Sequence, residues 1–407
     1  MYRKGKIVND PVYGFIRFQE PEVQRVIDHP WFQRLRAIRQ MGMASLVYPG
    51  AVHSRFQHSM GACHLMGFAL DVLRQKGVTI SDDDCTAARL AILLHDVGHG
   101  PFSHALEHIL VEDVTHETVS GMIMKRLDND CGGVLERAEQ VFSSEYPEQY
   151  LHQLVSSQLD VDRLDYLNRD SYFTGVSEGV IGYDRILHMM TVRDGNLMVE
   201  EKGVHSVEKF IIARRLMYWQ VYLHKTVLGA EQLLINILKR AKDLARSGVE
   251  LYATPPLQHF LYQSVTLEDF TNDPLHLDTF CMMDDSDILV CIKLWQQAQD
   301  TVLSMLCKML MQRRLYKVIL SSENISDSFL EEKREEAQAA LGLDGEELDY
   351  FVFTGTTSTS TYNTADEHIR IAMKDGTVRD ISAIDDPLVN QALAKPVVKN
   401  YICYIRP

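Results

Sequence analysis

Apolar residues along this chain recur mostly at helical spacing. After His58, residues Leu65, Phe68, Ala69, Val72 and Leu73 repeat at intervals of three and four, the period of one helix face. Val161, Leu164 and Leu167 repeat the pattern in the segment Asp160–Asp170. From about 206 to 246 the apolar positions Phe210, Leu216, Tyr218, Leu223, Leu233, Leu234 and Leu238 predict one long helix. The run from Ala87 to Leu94 is apolar on nearly every face, which predicts a buried helix. Ser81 followed by Asp82, Asp83 and Asp84 gives that helix an N-cap and an acidic first turn. Gly98, Gly100 and Pro101 end it.

Strand signals sit at the two ends of the chain. Asn9 to Gly14 is a turn flanked by short alternating runs, which predicts a small hairpin within the first 20 residues. Asp194-Gly195-Asn196 marks a second hairpin turn. From about 315 onward the pattern changes. Arg314–Leu320, Tyr350–Phe353, Ile369–Met373 and Tyr401–Ile405 read as strands, with a charged helix from about Ser328 to Ala340 and a hairpin turn at Lys374–Thr377. Thr354–Thr364 is polar and of low complexity, and reads as a mobile loop between strands. These patterns predict a mainly α protein. A helical core occupies about residues 1–314, and a small α+β lobe occupies about 315–407. No internal repeat is evident.

Composition narrows the class. At 407 residues, with 46% hydrophobic and 24% charged positions, the chain is of ordinary globular make-up and can bury a large core. A formal net charge of −15 argues against a nucleic-acid or membrane-surface binder, which would carry a basic face. The basic N-terminal residues have no apolar run behind them, so no signal peptide is expected. No stretch is apolar for long enough to span a membrane. The seven cysteines are scattered and form no C-x-x-C pair. They read as free thiols in a reducing compartment, so a cytoplasmic location is expected.

The candidate chemistry lies at the end of the apolar helix, where the chain reads His95-Asp96-Val97-Gly98-His99-Gly100-Pro101-Phe102-Ser103-His104. Adjacent imidazole and carboxylate suit a divalent metal, and buried polar ligands are costly unless they bind something. Half of the 16 histidines fall between His53 and His116. His58 opens one helix, and Asp160 and Asp162 begin another. Spacing alone leaves either aspartate open as a ligand, since residues two apart do not share a helix face.

In chain order these give an H…HD…D pattern, which resembles the HD-domain metal-dependent phosphohydrolase superfamily, an all-helical fold. The similarity extends over most of positions 5–230. It includes Asn9-Asp10-Pro11, Phe32–Arg36, Gln40–Gly42, Tyr48–Ala51, Arg55–Gly61, His95–His104, Thr115–Glu117 and Asp160–Tyr166. In that order they resemble the deoxynucleoside triphosphate triphosphohydrolase branch. The resemblance implies an HD-domain helical core with His58, His95, Asp96 and Asp162 as metal ligands, Asp160 being structural. It also implies His99, His104 and His116 in the phosphate pocket, with His116 as general acid and Glu117 orienting the neighbouring catalytic histidine. Arg55, Arg163 and Arg214 fall where the family binds triphosphate. Tyr166 resembles the aromatic against the sugar, Asp170 the acceptor of the 3′-hydroxyl, and Gln40 the residue at the sugar edge. Tyr222 and His224 lie at substrate-pocket positions. Lys6, Asp28 and Arg36 resemble parts of a GTP or deoxynucleotide activator site, although its distal basic residues have no counterpart. A homo-oligomer, dimer or tetramer, is expected.

The leading expectation is hydrolysis of a deoxynucleoside triphosphate to deoxynucleoside and triphosphate. Its alternatives are the same fold acting on a nucleoside monophosphate, a cyclic nucleotide or a guanosine alarmone, and a nucleotide-sensing or nucleic-acid-binding protein. Two imidazoles and two carboxylates accept iron, manganese, zinc, nickel or magnesium alike.

Overall fold

Two antiparallel strands open the chain, Lys6–Asp10 and Gly14–Phe18, paired from Lys6 opposite Phe18 to Asp10 opposite Gly14. The Asp10 carboxylate closes their turn by accepting the backbone N–H groups of Val12 and Tyr13 at 2.8 and 3.0 Å, as a short acidic side chain does in a turn. The computed structural model describes residues 5–111, 114–359, 362, 368–384 and 397–406, with the side chains of His104, His108 and Thr359 outside the description.

The helix Arg55–Gln75 is buried on most of its surface and packs against the helices Asp82–Leu94 and Val161–Thr174. Gly61 makes the second contact possible. A Cβ there would lie 2.1 Å from Asp165 and from Arg169, both fully buried. The helix Asp82–Leu94 begins as its sequence indicates. The Ser81 hydroxyl accepts the Asp84 N–H at 3.1 Å, and the Asp84 carboxylate accepts the Ser81 N–H at 3.3 Å, a reciprocal cap. His95 stands at its C-terminal end.

The expected single helix from 206 to 246 is broken. It runs as Val204–Met217, then a π-helical turn at Tyr218–Tyr222, then Lys225–Arg246. His224 leaves the helix in extended conformation and caps the second segment, accepting the Thr226 N–H on Nδ1 at 3.2 Å. Apolar periodicity runs through the break because each segment buries an apolar face of its own. What interrupts the helix is a local register change, of the kind that recurs at functional sites. It turns Tyr218 and Tyr222 toward a cavity.

The Asp194-Gly195 turn joins the strands Met190–Arg193 and Asn196–Glu200, with both turn residues at positive φ, as a two-residue hairpin requires. The C-terminal region contributes to two sheets. In one, Lys317–Ser321, Val397–Tyr404 and Val352–Thr359 lie side by side, all antiparallel, with the helix Asp327–Leu341 packed on them. In the other, Arg370–Ala372 pairs in parallel with Asn196–Glu200 of the core and antiparallel with Val378–Asp380. The lobe therefore shares a sheet with the core. Thr354–Thr359 is not a loop but strand, paired with Val397–Ile402. β-branched threonine fits a pleated ladder once a partner is supplied, and that partner lies some 45 residues further on. The rest of the expected loop, Tyr362 excepted, lies outside the described residues. All seven cysteines are free. No described helix is long and apolar enough to cross a membrane.

Candidate metal centre and active-site cavity

Three helices deliver four candidate ligands. His58 lies in the first turn of Arg55–Gln75, His95 and Asp96 follow Asp82–Leu94, and Asp162 lies in the first turn of Val161–Thr174. His58 Nε2 is 3.0 Å from Asp162 Oδ1 and 3.7 Å from Asp96 Oδ2. His95 Nε2 is 3.3 Å from Asp96 Oδ1 and 3.4 Å from Asp162 Oδ1. Both Nε2 atoms are buried and neither makes a well-aligned hydrogen bond. Ligand atoms about 2.1 Å from one metal ion stand roughly 3.0 to 3.4 Å from their neighbours in octahedral or tetrahedral geometry. The spacings among His58, His95 and Asp162 fit that requirement, and a buried imidazole nitrogen without an aligned partner needs one. Asp96 stands at the edge of the group, facing His95 with Oδ1 and His58 with Oδ2, and also gathers with His99 and His116. Asp160 points elsewhere. It caps the helix, accepting the N–H groups of Arg163 at 2.7 Å and Ser157 at 2.8 Å.

The outer nitrogens are fixed. His95 Nδ1 lies 2.6 Å from the Ile92 carbonyl. His58 Nδ1 lies 2.8 Å from Asp165 Oδ2. Asp165 also accepts from Arg169 Nε and Nη2 at 2.8 and 2.9 Å, and Arg169 Nη1 donates to Asp10 at 2.8 Å. This buried chain runs from the N-terminal hairpin to the candidate metal ligand and aims His58 Nε2 inward. Burial lowers the His58 pKa, but the facing carboxylates of Asp162 and Asp165 outweigh it and carry it up to about 10. Burial likewise opposes ionisation of Asp162, yet His58 and His95 hold it well below the carboxylate range. Asp96 is held down too, by His95, Arg55 and His99 against its burial.

Gly98 sets the path of the loop that follows. A Cβ on it would fall 2.3 Å from the His116 carbonyl oxygen and 2.4 Å from the Ser120 nitrogen. Ser120 Oγ accepts the Gly98 N–H at 2.9 Å and donates to the His95 carbonyl at 2.8 Å. Further on, Phe102 and Ser103 both have φ near +50°, a strained conformation for residues other than glycine. Asp285 holds them there, accepting the N–H of Phe102 at 2.8 Å and of Arg39 at 3.0 Å.

A cavity of about 430 Å³ opens over this centre. Arg55 enters it buried, bonded to Asp96 and donating through Nε to Ser103 Oγ at 2.7 Å. His99 stacks on His116 with ring centroids 3.8 Å apart, and its Nε2 is 3.4 Å from Asp96 Oδ1. Burial and the neighbouring Arg55 hold His99 well below the usual histidine range, so it is neutral at neutral pH. His116 Nδ1 is 2.7 Å from Glu107 Oε1, while Glu117, mostly exposed, lies 3.3 Å from Nε2. The shorter of the two contacts to His116 is therefore that of Glu107, at Nδ1. Arg163 donates to the Ser157 carbonyl at 2.7 Å and to Asp160 at 3.1 Å. Burial works against its charge, and Asp160 more than compensates.

Gln40, Tyr166, Asp170, Tyr218 and Tyr222 line another part of the cavity. Asp170 is buried between two partners, the Tyr222 hydroxyl at 2.6 Å and His53 Nε2 at 2.8 Å. The Gln40 side-chain oxygen is buried without a partner. Arg214 is buried and donates to Gln158 at 3.3 Å, close enough to act on the Tyr166 hydroxyl. His224 does not line this cavity. It serves as the helix cap and packs edge-on against Tyr48. Lys6 pairs with Asp28 at the surface. Arg36 donates to Gln33 at 2.7 Å and lies over the Phe56 ring. His104 sits in the 3₁₀ turn Ser103–Ala105, with its side chain outside the described residues.

Sequence reasoning missed Asp165, Arg169, Asp10, Glu107, His53 and Glu231. Two left a signal. Asp165 shares a helix face with Asp162, and Arg169 shares one with Asp165.

Comparison with known proteins gives a consistent picture. The HD domain family model matches residues 55–170, and an HD associated region matches 181–250. The chain is 34% identical over 325 residues to the uncharacterized protein YwfO of Bacillus subtilis, covering 78% of this chain and 73% of that one. It is 29% identical over 282 residues to the human deoxynucleoside triphosphate triphosphohydrolase SAMHD1, covering 58% of this chain and 45% of that protein. It thus spans just under half the length of that relative. A crystal structure of a phosphohydrolase from Bacteroides thetaiotaomicron superposes with a TM-score of 0.95 at 47% identity, over 99% of this chain and 100% of that one.

Proposed function

This chain belongs to the HD-domain family of metal-dependent phosphohydrolases, and from that premise we propose that it hydrolyses deoxynucleoside triphosphates to deoxynucleoside and inorganic triphosphate. One observation carries the reading. The cavity that opens on the His58, His95, Asp96 and Asp162 cluster also holds two arginines and, beside them, a Tyr166–Tyr222–Asp170 group with an unpartnered Gln40 oxygen. At about 430 Å³ it is of a size to take a small-molecule ligand. Relatives that include a deoxynucleoside triphosphate triphosphohydrolase support the substrate class.

His58, His95, Asp96 and Asp162 would hold a divalent metal such as iron, manganese, zinc, nickel or magnesium. When bound, it supplies a water of lowered pKa and polarises the phosphoryl group. Arg55 and Arg163 neutralise the triphosphate, with neutral His99 as a hydrogen-bond partner. Tyr166 and Tyr222 flank the sugar. Gln40 offers its free oxygen to the 3′-hydroxyl, beside Asp170. Water oxygen bonds to the α-phosphorus as the bond from phosphorus to the 5′-oxygen breaks. His116, steered by Glu107 on Nδ1, presents Nε2 to protonate the departing 5′-oxygen.

The test is product analysis. Each deoxynucleoside triphosphate is incubated with the manganese-loaded protein, with and without GTP, and products are resolved by ion exchange. Deoxynucleoside with intact triphosphate, abolished in His95→Ala and Asp96→Ala, is the expected result. Dependence on GTP would support an activator site at Lys6, Asp28 and Arg36. Release of monophosphate or pyrophosphate, or turnover in the metal-free variants, would overturn the proposal.

A further inference from the structure

One carboxylate in the cavity has no part in the chemistry above. Glu231 lines the cavity from the helix Lys225–Arg246. Val227, one turn earlier on the same helix face, lines it too. That helix packs against the turns Gly42–Leu46 and Ser103–Ala105. The wall these elements form is apolar or small, from Met41, Gly42, Ala44 and Val227. Among the described residues no hydrogen bond or ion pair reaches Glu231. Burial pushes its carboxyl up, to about 7. It therefore lines the same cavity as that cluster without a partner of its own.

A nucleotide with its triphosphate on Arg55 and Arg163 and its sugar at Tyr166 and Tyr222 must direct its base to the remaining wall. Resting on the triphosphohydrolase reading for that placement, we infer that Glu231 reads the base by accepting two hydrogen bonds from guanine, at the ring N1–H and the 2-amino group. An ionised carboxylate offers acceptors only. Guanine presents two adjacent donors on its pairing edge. Adenine and cytosine place a ring nitrogen lone pair beside their amino group, which would face a carboxylate oxygen. Thymine sets its N–H between two carbonyls. A site built to bond a donor discriminates strongly against a ligand lacking it.

The test uses the full chain at pH 8, loaded with manganese, and compares kcat/KM for dGTP, dITP, dATP, dCTP and dTTP. dITP keeps the N1–H and lacks only the 2-amino group, so it probes one hydrogen bond without any mutation. The wild type is expected to prefer dGTP over dITP by roughly tenfold. Glu231→Gln should lower dGTP turnover by roughly ten- to a hundredfold. It should shift preference toward dATP and dCTP, whose edges match an amide. Equal use of dGTP and dITP by the wild type, or an equal loss on every substrate in Glu231→Gln, would overturn the inference. Calorimetric titration of deoxyguanosine and deoxyinosine into the unloaded chain separates base reading from turnover. Tighter deoxyguanosine binding, lost in Glu231→Gln, supports the inference, and equal binding overturns it. No turnover with the deoxyguanosine preference intact would overturn the triphosphohydrolase reading alone.

Discussion

Replacing Asp165 by asparagine should damage both the fold and metal binding, although Asp165 is no candidate ligand. It is fully buried. Its Oδ2 lies 2.8 Å from His58 Nδ1 and from Arg169 Nε, and its Oδ1 lies 2.9 Å from Arg169 Nη2. The less costly amide orientation keeps an oxygen at the Oδ2 position and sets NH₂ against Arg169 Nη2. One charge-assisted bond is lost and two become neutral, at roughly 1.5–3 kcal/mol for a full charged bond. Arg169 keeps Asp10 at 2.8 Å, so the total should fall low in the range for breaking a buried pair, about 3–4 kcal/mol. In a chain of this size that is a loss of roughly 3.5–5 °C in Tm. His58 Nδ1 keeps a bond, but to a neutral oxygen that holds and polarises the ring less well, which should weaken metal affinity about 10- to 100-fold. Thermal unfolding with and without manganese, together with a manganese titration, reads both effects. A variant that melts within 1 °C of wild type and binds manganese within twofold would refute the reasoning, because the Asp10–Arg169–Asp165–His58 chain would then carry no energy.

Gly98→Ala forces a methyl group into backbone on two sides. It should cost about 1–3 kcal/mol and displace His95 and Asp96, visible as lower Tm and weaker manganese binding; wild-type values for both would contradict the close-packing account. Glu107→Gln should lower kcat roughly 10²- to 10³-fold with little change in KM, since it removes the partner of His116 Nδ1, whereas Glu117→Gln should have a smaller effect. A larger loss in Glu117→Gln would reverse the two roles. Glu231→Gln should stabilise the unliganded protein in a pH-dependent way. The carboxyl is raised from 4.5 to about 7 by burial, so the native state loses stability as pH rises through that window, and an amide does not. The variant should gain about 1–2 kcal/mol over wild type at pH 8, after allowance for solvent in the cavity. It should gain nothing at pH 4, as chemical denaturation at the two pH values would show.

Much of the centre is local information. The apolar run Ala87–Leu94 with its Ser81 cap could only be a buried helix, and it delivers His95 and Asp96 inward. The hairpin at Asp10 and the turn at Asp194-Gly195 follow from side-chain and backbone preferences that act over a few residues. The break at Tyr218–Tyr222 does not. Its residues have ordinary helix preferences, and the register change is held by contacts from elsewhere, among them the Tyr222 bond to Asp170, 52 positions away. The strand Thr354–Thr359 likewise depends on a partner distant in sequence.

The sequence by itself determined which residue types face inward, where the helix after Ser81 starts, and that His58, His95, Asp96 and an aspartate at 160 or 162 form a candidate ligand pattern, of which the family resemblance selects Asp162. Tertiary structure decided what surrounds them. Only the packing shows that Asp160 caps while Asp162 faces the histidines, that Glu107 meets His116 at Nδ1 while Glu117 lies at Nε2, and that Asp165 bonds His58. Only the cavity singles out Glu231 from the other acidic residues. The physical reason is the range of the forces. Periodicity and capping are set by neighbours three or four residues apart, whereas hydrogen-bond partnership and desolvation depend on atoms that meet only when distant segments pack.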